Sequence, residues 1–101
     1  MMKVNVQTPH FKADKKLIGF TNRKLSKMEI FFPRIIHADV YLRLQNSKEN
    51  LNKIVEILLS VPGGELIAKK EAKTFEEGID ECLTALERKL KKKKEKQRSF
   101  I

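Results

Sequence analysis

The sequence has few of the residues that build most catalytic and metal sites. It contains a single cysteine, Cys82, and two histidines, His10 and His37, in 101 residues. One cysteine cannot form an intramolecular disulfide, which fits a reducing cytosol. The cysteine and the two histidines lie too far apart for the ligand spacing of a zinc site. No paired carboxylates or catalytic triad stand out. The sequence therefore predicts neither an enzyme nor a cofactor.

Long hydrophobic segments are also missing. The best apolar run, Ile57 to Leu59, is far shorter than the about 18 residues of a membrane-spanning helix. The segment from Met1 to Gln7 has no apolar run long enough for a signal peptide. Gly63 and Gly64 stand between two strand patterns, whereas a phosphate-binding loop needs a strand-to-helix junction. We expect a soluble cytoplasmic protein with no membrane partner and no small-molecule substrate.

Positive charge is in excess and is unevenly spread. Charged residues make up 35% of the sequence, and the net charge is +9 at pH 7. Residues 88–101 contribute +7 and residues 1–87 only +2. The basic residues of the last segment are Arg88, Lys89, Lys91, Lys92, Lys93, Lys94, Lys96 and Arg98. Such a segment predicts a polyanionic partner, most commonly nucleic acid. On its own, a solvated helix end explains it equally well.

Alternating apolar and polar residues predict four strands. Val4 and Val6 alternate with polar neighbours in a short first strand. The second strand, from Ile36 to Gln45, has one apolar row: Ile36, Ala38, Val40, Leu42 and Leu44. The third has the row Val55, Ile57, Leu59 and Val61. Pro62, Gly63 and Gly64 signal a tight turn, and Leu66 and Ala68 continue the inward row in a fourth strand.

Two segments have the periodicity of amphipathic helices. Asp14 is a suitable N-cap for the first, and Pro33 ends it. Its apolar stripe is Leu17, Thr21, Leu25 and Met28, joined by Phe31 or Phe32, and its basic face is Lys16, Arg23 and Lys27. A capping box, Thr74 to Glu77, opens the second. Its stripe is Phe75, Ile79, Cys82, Leu83, Leu86 and Leu90. We expect this helix to continue to about Lys96 as a basic rod beyond the core.

The order of these elements is β-α-β-β-β-α, which indicates an α+β fold. A strand-helix-strand opening favours a parallel first pair, and the remaining strands form a meander, so the four-stranded sheet is mixed. Each helix has one apolar stripe and the strands share one apolar face, so both helices should pack on the same face of the sheet. We expect one domain, residues 1–96, followed by a flexible C-terminal tail, residues 97–101.

In this order, several segments resemble the ribosome hibernation-promoting factors, including the ribosome-associated translation inhibitors. The resemblance extends from about Met2 to Lys96. The segments that carry it are Lys24 to Glu29 followed by Phe31 and Phe32, Ala38 to Val40, Val61 to Ala68, and Ala85 to Lys94. No single segment is specific, but their order and separations are. The family fold agrees with the predicted order of elements.

The resemblance implies that the partner is the small ribosomal subunit and its ribosomal RNA. Family members occupy the cleft between head and body, where they block messenger RNA and transfer RNA without chemistry. The chain ends before the C-terminal domain that pairs two ribosomes in the long form, so it resembles a short form with no dimerisation domain. Lys24 and Lys27 match basic family positions on the first helix. The basic family positions that are matched on the second helix are Arg88, Lys91, Lys92 and Lys94. Lys89 and Lys93 are added as phosphate contacts because of the charge density alone.

Three other functions compete with ribosome binding. A general module that recognises the shape of double-stranded RNA would also use basic helices. A peripheral membrane protein could place the basic tail on anionic lipid, but Phe100 and Ile101 are too little for a stable anchor. An enzyme has no supporting set of residues. Tyr41, on the polar face of the sheet, could stack on a base, although cross-strand packing is the better explanation of this residue.

Overall fold

The computed structural model describes residues 2–9, 11–46, 48–49 and 51–98, with side chains up to residue 93. The elements are β1 (Lys3–Gln7), α1 (Lys15–Phe31), β2 (His37–Leu44), β3 (Lys53–Val61), β4 (Gly64–Ala72) and α2 (Phe75–Arg98). This is the predicted β-α-β-β-β-α order. The helix α2 extends two residues past the predicted end at Lys96 because nothing between Lys96 and Arg98 breaks it. His10 and the rest of the predicted tail, residues 99–101, lie outside the described residues.

The four strands form one mixed sheet in the order β1-β2-β3-β4. The pair β1 and β2 is parallel, and the pairs β2–β3 and β3–β4 are antiparallel. A parallel neighbour needs a long crossover, which α1 supplies, whereas Pro62 and Gly63 suffice to reverse the chain between β3 and β4. Gly63 has a φ of 86°, a left-handed conformation that glycine adopts without strain. The predicted sheet is confirmed.

The core lies between one face of the sheet and the two helices. On the sheet side, it is formed by the fully buried residues Ala38, Val40, Leu42, Val55, Ile57 and Leu59. Ile36 and Leu44, predicted to belong to the same row, are 56% and 49% exposed. The alternation is correct, but the helices cover only the middle of β2, so the two ends of the row remain in solvent.

Helix α1 begins and ends where the sequence predicts. The side chain of Asp14 accepts a hydrogen bond from the backbone N–H of Leu17 at 2.8 Å, which satisfies one of the free donors of the first turn. Thr21, buried within the stripe, donates its hydroxyl to the carbonyl of Leu17 at 2.9 Å. The helix ends at Phe31, two residues before Pro33. Phe32, partly buried, packs against the core, whereas Phe31 is 70% exposed.

Helix α2 is anchored by its first half. The hydroxyl of Thr74 accepts from the backbone N–H of Glu77 at 3.1 Å, as the capping box predicts. All six residues of the predicted stripe, Phe75 to Leu90, are buried. Gly78 allows the helix to approach β3 closely, because a Cβ at this position would lie 2.6 Å from Cγ2 of Val55. Leu90 is the last described residue of the helix that enters the core.

Candidate RNA-binding surface

A groove runs between α1 and α2 on the side of the helices away from the sheet. We call it the interhelical groove. It is lined by Lys24, Lys27, Met28, Phe31, Phe32, Asp80, Leu83, Thr84 and Glu87. The helical periods explain this set, because each helix contributes residues from the flank of its apolar stripe: Met28 and Leu83 are buried, whereas Phe31 and the charged residues are at least partly exposed. Two of the predicted site residues, Lys24 and Lys27, therefore share one groove.

Acidic residues of α2 hold two of the predicted lysines by ion pairs. Nζ of Lys24 lies 3.2 Å from Oδ1 of Asp80, and Nζ of Lys91 lies 3.5 Å from Oε1 of Glu87. All four side chains are substantially exposed, and exposed pairs contribute only about 0–1 kcal/mol. Lys24 also lies over the ring of Phe20, with Nζ 5.4 Å from the ring centroid. Pairs this weak position the lysines but can be exchanged for phosphate contacts.

The predicted basic residues of α2 divide between its flanks. Lys91 lies on the groove side with Glu87. On the opposite flank, Lys89 donates a hydrogen bond to the backbone carbonyl of Ile67 in β4. Lys93 lies near the β3–β4 turn. The Nζ of Lys93 is 3.7 Å from the position that a Cβ on Gly63 would occupy.

The remaining predicted residues of α2 are Arg88, Lys92 and Lys94. Arg88 and Lys92 are exposed to solvent. The backbone of Lys94 belongs to α2, but its side chain lies outside the described residues. The described members of the predicted set thus lie on both flanks of α2 around Leu90, and Lys24 and Lys27 lie on α1, across the groove from the acidic Asp80 and Glu87.

A second basic hollow lies at the other end of α1. It brings together Lys12, Lys16 and Arg23, with Phe11, Phe20 and Phe75 beside them, and its lining also includes the acidic Asp14 and Glu76, so its excess of positive charge is one. The rings of Phe11 and Phe75 stack, with centroids 5.1 Å apart and planes 10° from parallel. The sequence identified Lys16 and Arg23 as basic residues on one face of α1. It did not identify Lys12, because this residue precedes the helix and is positioned by the loop that brings Phe11 onto Phe75.

The open face of the sheet has a different character from the helix side. Its charges are of both signs, as in the pair of Arg43 and Glu56, whose Nη2 and Oε1 lie 3.3 Å apart. The guanidinium carbon of Arg43 lies 5.9 Å from the centroid of the Tyr41 ring. The ring of Tyr41 thus has a cation from its own sheet beside it, which supports the packing interpretation of this residue over base stacking.

His37 makes two polar contacts on this face, neither of which forms a catalytic relay. Its Nε2 lies 3.1 Å from Oγ of Ser60 and 3.4 Å from Oδ2 of Asp39. A relay of the serine–histidine–aspartate kind needs one partner on each ring nitrogen, so two partners on Nε2 do not have that geometry. In the part of the chain that the structure describes, no cluster of three or more histidine, cysteine, aspartate or glutamate residues could hold a metal ion.

Cys82 is enclosed in the core between α2 and the sheet. Its thiol donates to the backbone carbonyl of Val55, with Sγ and O 3.4 Å apart. Burial raises the pKa of the Cys82 thiol to about 11. Because the thiolate is the nucleophile and is absent at neutral pH here, Cys82 is a packing residue, as the apolar stripe predicts.

Comparison with known proteins points to one family. Residues 4–98 match the model of the Sigma 54 modulation protein / S30EA ribosomal protein family. A ribosome hibernation promoting factor of Pseudomonas putida is 34% identical over 100 residues, which are 99% of this chain and 94% of that protein. The protein of the same name from Azotobacter vinelandii is 30% identical over 96 residues, 95% of this chain and 86% of that protein.

Two solved structures share the fold. A ribosomal subunit interface protein from Coxiella burnetii has a TM-score of 0.82 and 22% identity, covering 92% of this chain and 98% of that chain. The N-terminal domain of Protein Y from Thermus thermophilus has a TM-score of 0.76 and 20% identity, covering 91% and 98%. Within the described ranges, neither helix of the present chain is long and apolar enough to cross a membrane.

Proposed function

Because the chain belongs to the ribosome hibernation-promoting factors, the Sigma 54 modulation protein / S30EA ribosomal protein family, we propose that it binds ribosomes and holds them in an inactive state. The finer proposal is that it occupies the decoding cleft of the small subunit, where it excludes messenger RNA and transfer RNA during stress or stationary phase. It acts in the cytosol, where the ribosomes are, and it needs no cofactor because occlusion requires no chemistry.

The observation that carries this proposal is the position of the basic half of α2. Leu90 is the last described residue of the helix to enter the core, and the helix then continues to Arg98. Eight residues beyond Leu90 extend the helix by about 12 Å at 1.5 Å per residue. The backbone of a helix satisfies its own hydrogen bonds, so such an extension can stand in solvent and present lysines to a phosphate backbone.

The proposed contact surface is the basic set predicted from the sequence. It consists of Lys24, Lys27, Arg88, Lys89, Lys91, Lys92, Lys93 and Lys94. Contacts to phosphates release counterions, so neutralising about six of them would make log K fall with log salt at a slope of about −4 to −5. These contacts position the protein but do not read sequence. Specificity for the ribosome then depends on the fit of a rigid body into a cleft of fixed shape.

A general module for double-stranded RNA is the alternative. It is favoured by the second basic hollow, since Lys12, Lys16 and Arg23 lie at the far end of α1 from the basic half of α2. Two basic regions separated along one face could contact two successive grooves of an A-form duplex. Such a module would bind any long duplex, whereas a cleft-binding protein would prefer the assembled small subunit.

Co-sedimentation tests the proposal directly. The purified protein is mixed with small subunits, large subunits or whole ribosomes at two salt concentrations, and bound protein is quantified in the pellet. We expect saturable binding of one copy per small subunit, weakened by salt and competed by transfer RNA. A long RNA duplex of arbitrary sequence serves as the comparison ligand.

The outcomes separate the two functions. Binding to the small subunit that exceeds binding to the duplex by at least about 100-fold, which is about 2.7 kcal/mol, supports cleft binding. Equal affinity for the duplex supports the general module. Absence of ribosome binding at low salt would overturn the hibernation function for this chain.

A further inference from the structure

Phe31 lies at the mouth of the interhelical groove with most of its ring in solvent. It is 70% exposed, while its neighbour Phe32 packs against the core. A single exposed apolar residue needs no special explanation. Phe31, however, shares the groove with two lysines and two carboxylates, and this combination of groups needs an explanation.

The groove contains the separate groups that an unstacked nucleotide requires. Aromatic rings bind the faces of unpaired bases, which is the usual basis of recognition of single-stranded RNA. The ring of Phe31 supplies an apolar surface of this kind. Lys24 and Lys27 supply positive charge for a phosphate. Asp80 and Glu87, on the opposite wall, supply carboxylate oxygens that accept hydrogen bonds.

The carboxylates argue against a continuous phosphate backbone in this groove. Asp80 faces Lys24 at 3.2 Å, and Glu87 is paired with Lys91 at 3.5 Å. The two carboxylates offset the charge of these lysines, so the groove gives little net attraction to a run of phosphates. The carboxylates would attract the exocyclic amino group of adenine, guanine or cytosine, since aspartate and glutamate accept from base amino groups.

We propose that the interhelical groove receives one unstacked base of ribosomal RNA, stacked on Phe31, with its phosphate at Lys24 and Lys27 and its amino group at the α2 carboxylates. This rests on the proposed function, because it assumes that ribosomal RNA is the partner. It adds a contact that depends on the face of a base, whereas the basic half of α2 contacts phosphates only.

Substitution of Phe31 tests the stacking contact. Phe31→Leu keeps an apolar side chain but removes the aromatic face, and Phe31→Tyr keeps the face. We expect Phe31→Leu to weaken binding to the small subunit by about ten-fold, within the range measured for single stacked bases. Phe31→Tyr should stay within about two-fold of the unmodified protein. The salt slope should not change for either variant, because no phosphate contact is lost.

Ile30 provides the matched control. It is 75% exposed and adjacent in sequence, but it points about 100° away around the helix and does not line the groove. Ile30→Ala removes exposed apolar surface of similar size from the same turn of α1. We expect it to bind like the unmodified protein. Equal losses for Ile30→Ala and Phe31→Leu would mean that the end of α1 contributes general apolar contact, which would overturn the proposal.

Chemical probing of the bound ribosome identifies the group that occupies the interhelical groove. With each protein at saturation, the reactivity of the ribosomal RNA bases is compared between the unmodified protein and Phe31→Leu. We expect one base that carries an amino group to be protected only by the protein with an aromatic ring at position 31. Weakened binding of Phe31→Leu without any such base would indicate a ribosomal protein in the groove and would overturn the proposal. Protection of a uracil would overturn the role of Asp80 and Glu87.

The proposed function and the base-binding groove can be tested independently of each other. If the unmodified protein does not bind small subunits, the ribosomal function is wrong. If it binds and Phe31→Leu binds equally well, only the base-binding groove is wrong.

Discussion

The half of α2 from Phe75 to Glu87 carries five acidic residues and no basic one, whereas the half from Arg88 to Arg98 carries eight basic residues and one acidic residue. The two halves also differ in how many of their side chains are buried. The first half places Phe75, Gly78, Ile79, Cys82, Leu83 and Leu86 against the sheet or in the core. Among the described side chains of the second half, only Leu90 is buried.

This difference separates stability from binding within a single helix. The apolar stripe of the first half is worth about 1.5–3 kcal/mol for each fully buried large side chain, so it fixes the helix on the sheet. The second half buries little, and Lys91, paired with Glu87 at the surface, can exchange that weak contact for a phosphate. Substitutions in the first half should therefore change the free energy of unfolding, and substitutions in the second half should change the affinity for RNA.

The largest expected effect is on binding. The triple substitution Lys91→Glu, Lys92→Glu and Lys94→Glu replaces three proposed phosphate contacts by three repulsions. We expect the affinity for the small subunit at about 0.1 M salt to fall by at least about 100-fold, because each lost contact also removes counterion release. The free energy of unfolding should change by less than about 1 kcal/mol, since Lys91 and Lys92 are exposed and all three positions follow Leu90, the last described residue of α2 in the core. Co-sedimentation and urea denaturation followed by circular dichroism measure the two quantities.

A matched variant keeps the same net charge but changes another region. Lys48, Lys70 and Lys73 are exposed lysines outside α2. Their replacement by glutamate should reduce affinity by less than about ten-fold, through the long-range field alone. If both triple variants lose the same affinity, total charge rather than the second half of α2 governs binding.

The largest effect on stability is expected in the first half of the helix. Leu86 is fully buried, and Leu86→Ala should lower the free energy of unfolding by about 2–5 kcal/mol through lost burial and a cavity. Leu90→Ala, at the edge of the core, should cost less. Urea denaturation gives both values. A larger loss for Leu90→Ala would move the boundary between the two halves toward the C-terminus.

A smaller effect is expected at the closest contact between α2 and the sheet. Gly78→Ala places a Cβ 2.6 Å from Cγ2 of the fully buried Val55, so one element must shift. Overpacking costs about 1–3 kcal/mol, of which the better helix propensity of alanine offsets up to about 1 kcal/mol. We expect a net loss of about 1–2 kcal/mol in thermal and urea unfolding.

Gly19 in α1 is the control for this prediction. A Cβ there would meet only Nη1 of Arg23, at 3.5 Å, an ordinary contact. Gly19→Ala should therefore stabilise the protein by up to about 1 kcal/mol. Stabilisation by both alanines would show that α2 can move away from β3 at no cost, and the close contact would not be structurally important.

The smallest expected effect is at the start of α2. Thr74→Ala removes the hydroxyl that accepts from the N–H of Glu77, which should cost about 1 kcal/mol of unfolding free energy. Thr74→Ser keeps the hydroxyl and should restore most of it. RNA affinity should not change for either variant. A change in affinity would mean that the two halves of the helix are coupled.

Local patterns were sufficient to predict the fold because the apolar period of each element is recognisable and most of the helix ends are marked, although nothing in the sequence marks the end of α2. Asp14 and Pro33 delimit α1, and Thr74 begins α2. The patterns were insufficient at the edges of the core. Periodicity allowed either Phe31 or Phe32 to join the stripe of α1, because the helix ends there and the next contacts depend on the loop. Ile36 and Leu44 continue an apolar row that the helices do not reach.

The candidate surface was less predictable than the fold. Charge density identified the lysines of α2, but it could not show that Lys89 contacts the carbonyl of Ile67 or that Lys24 pairs with Asp80. Both contacts join segments far apart in the sequence and depend on how the helices pack. The exposure of Phe31 in the interhelical groove follows from the same packing. The assignment of these residues to RNA binding remains a prediction.

The opposed charges of the two halves of α2 also have a kinetic consequence. The molecule is elongated, with extents of 49 × 27 × 18 Å, and the helix carries its acids at one end and its bases at the other. In the field of a polyanion, such a molecule experiences a torque that turns the basic tip forward before contact. Orientation during diffusion raises the association rate and makes it fall steeply with ionic strength. The acidic half would thereby reduce the number of encounters that begin at the wrong end.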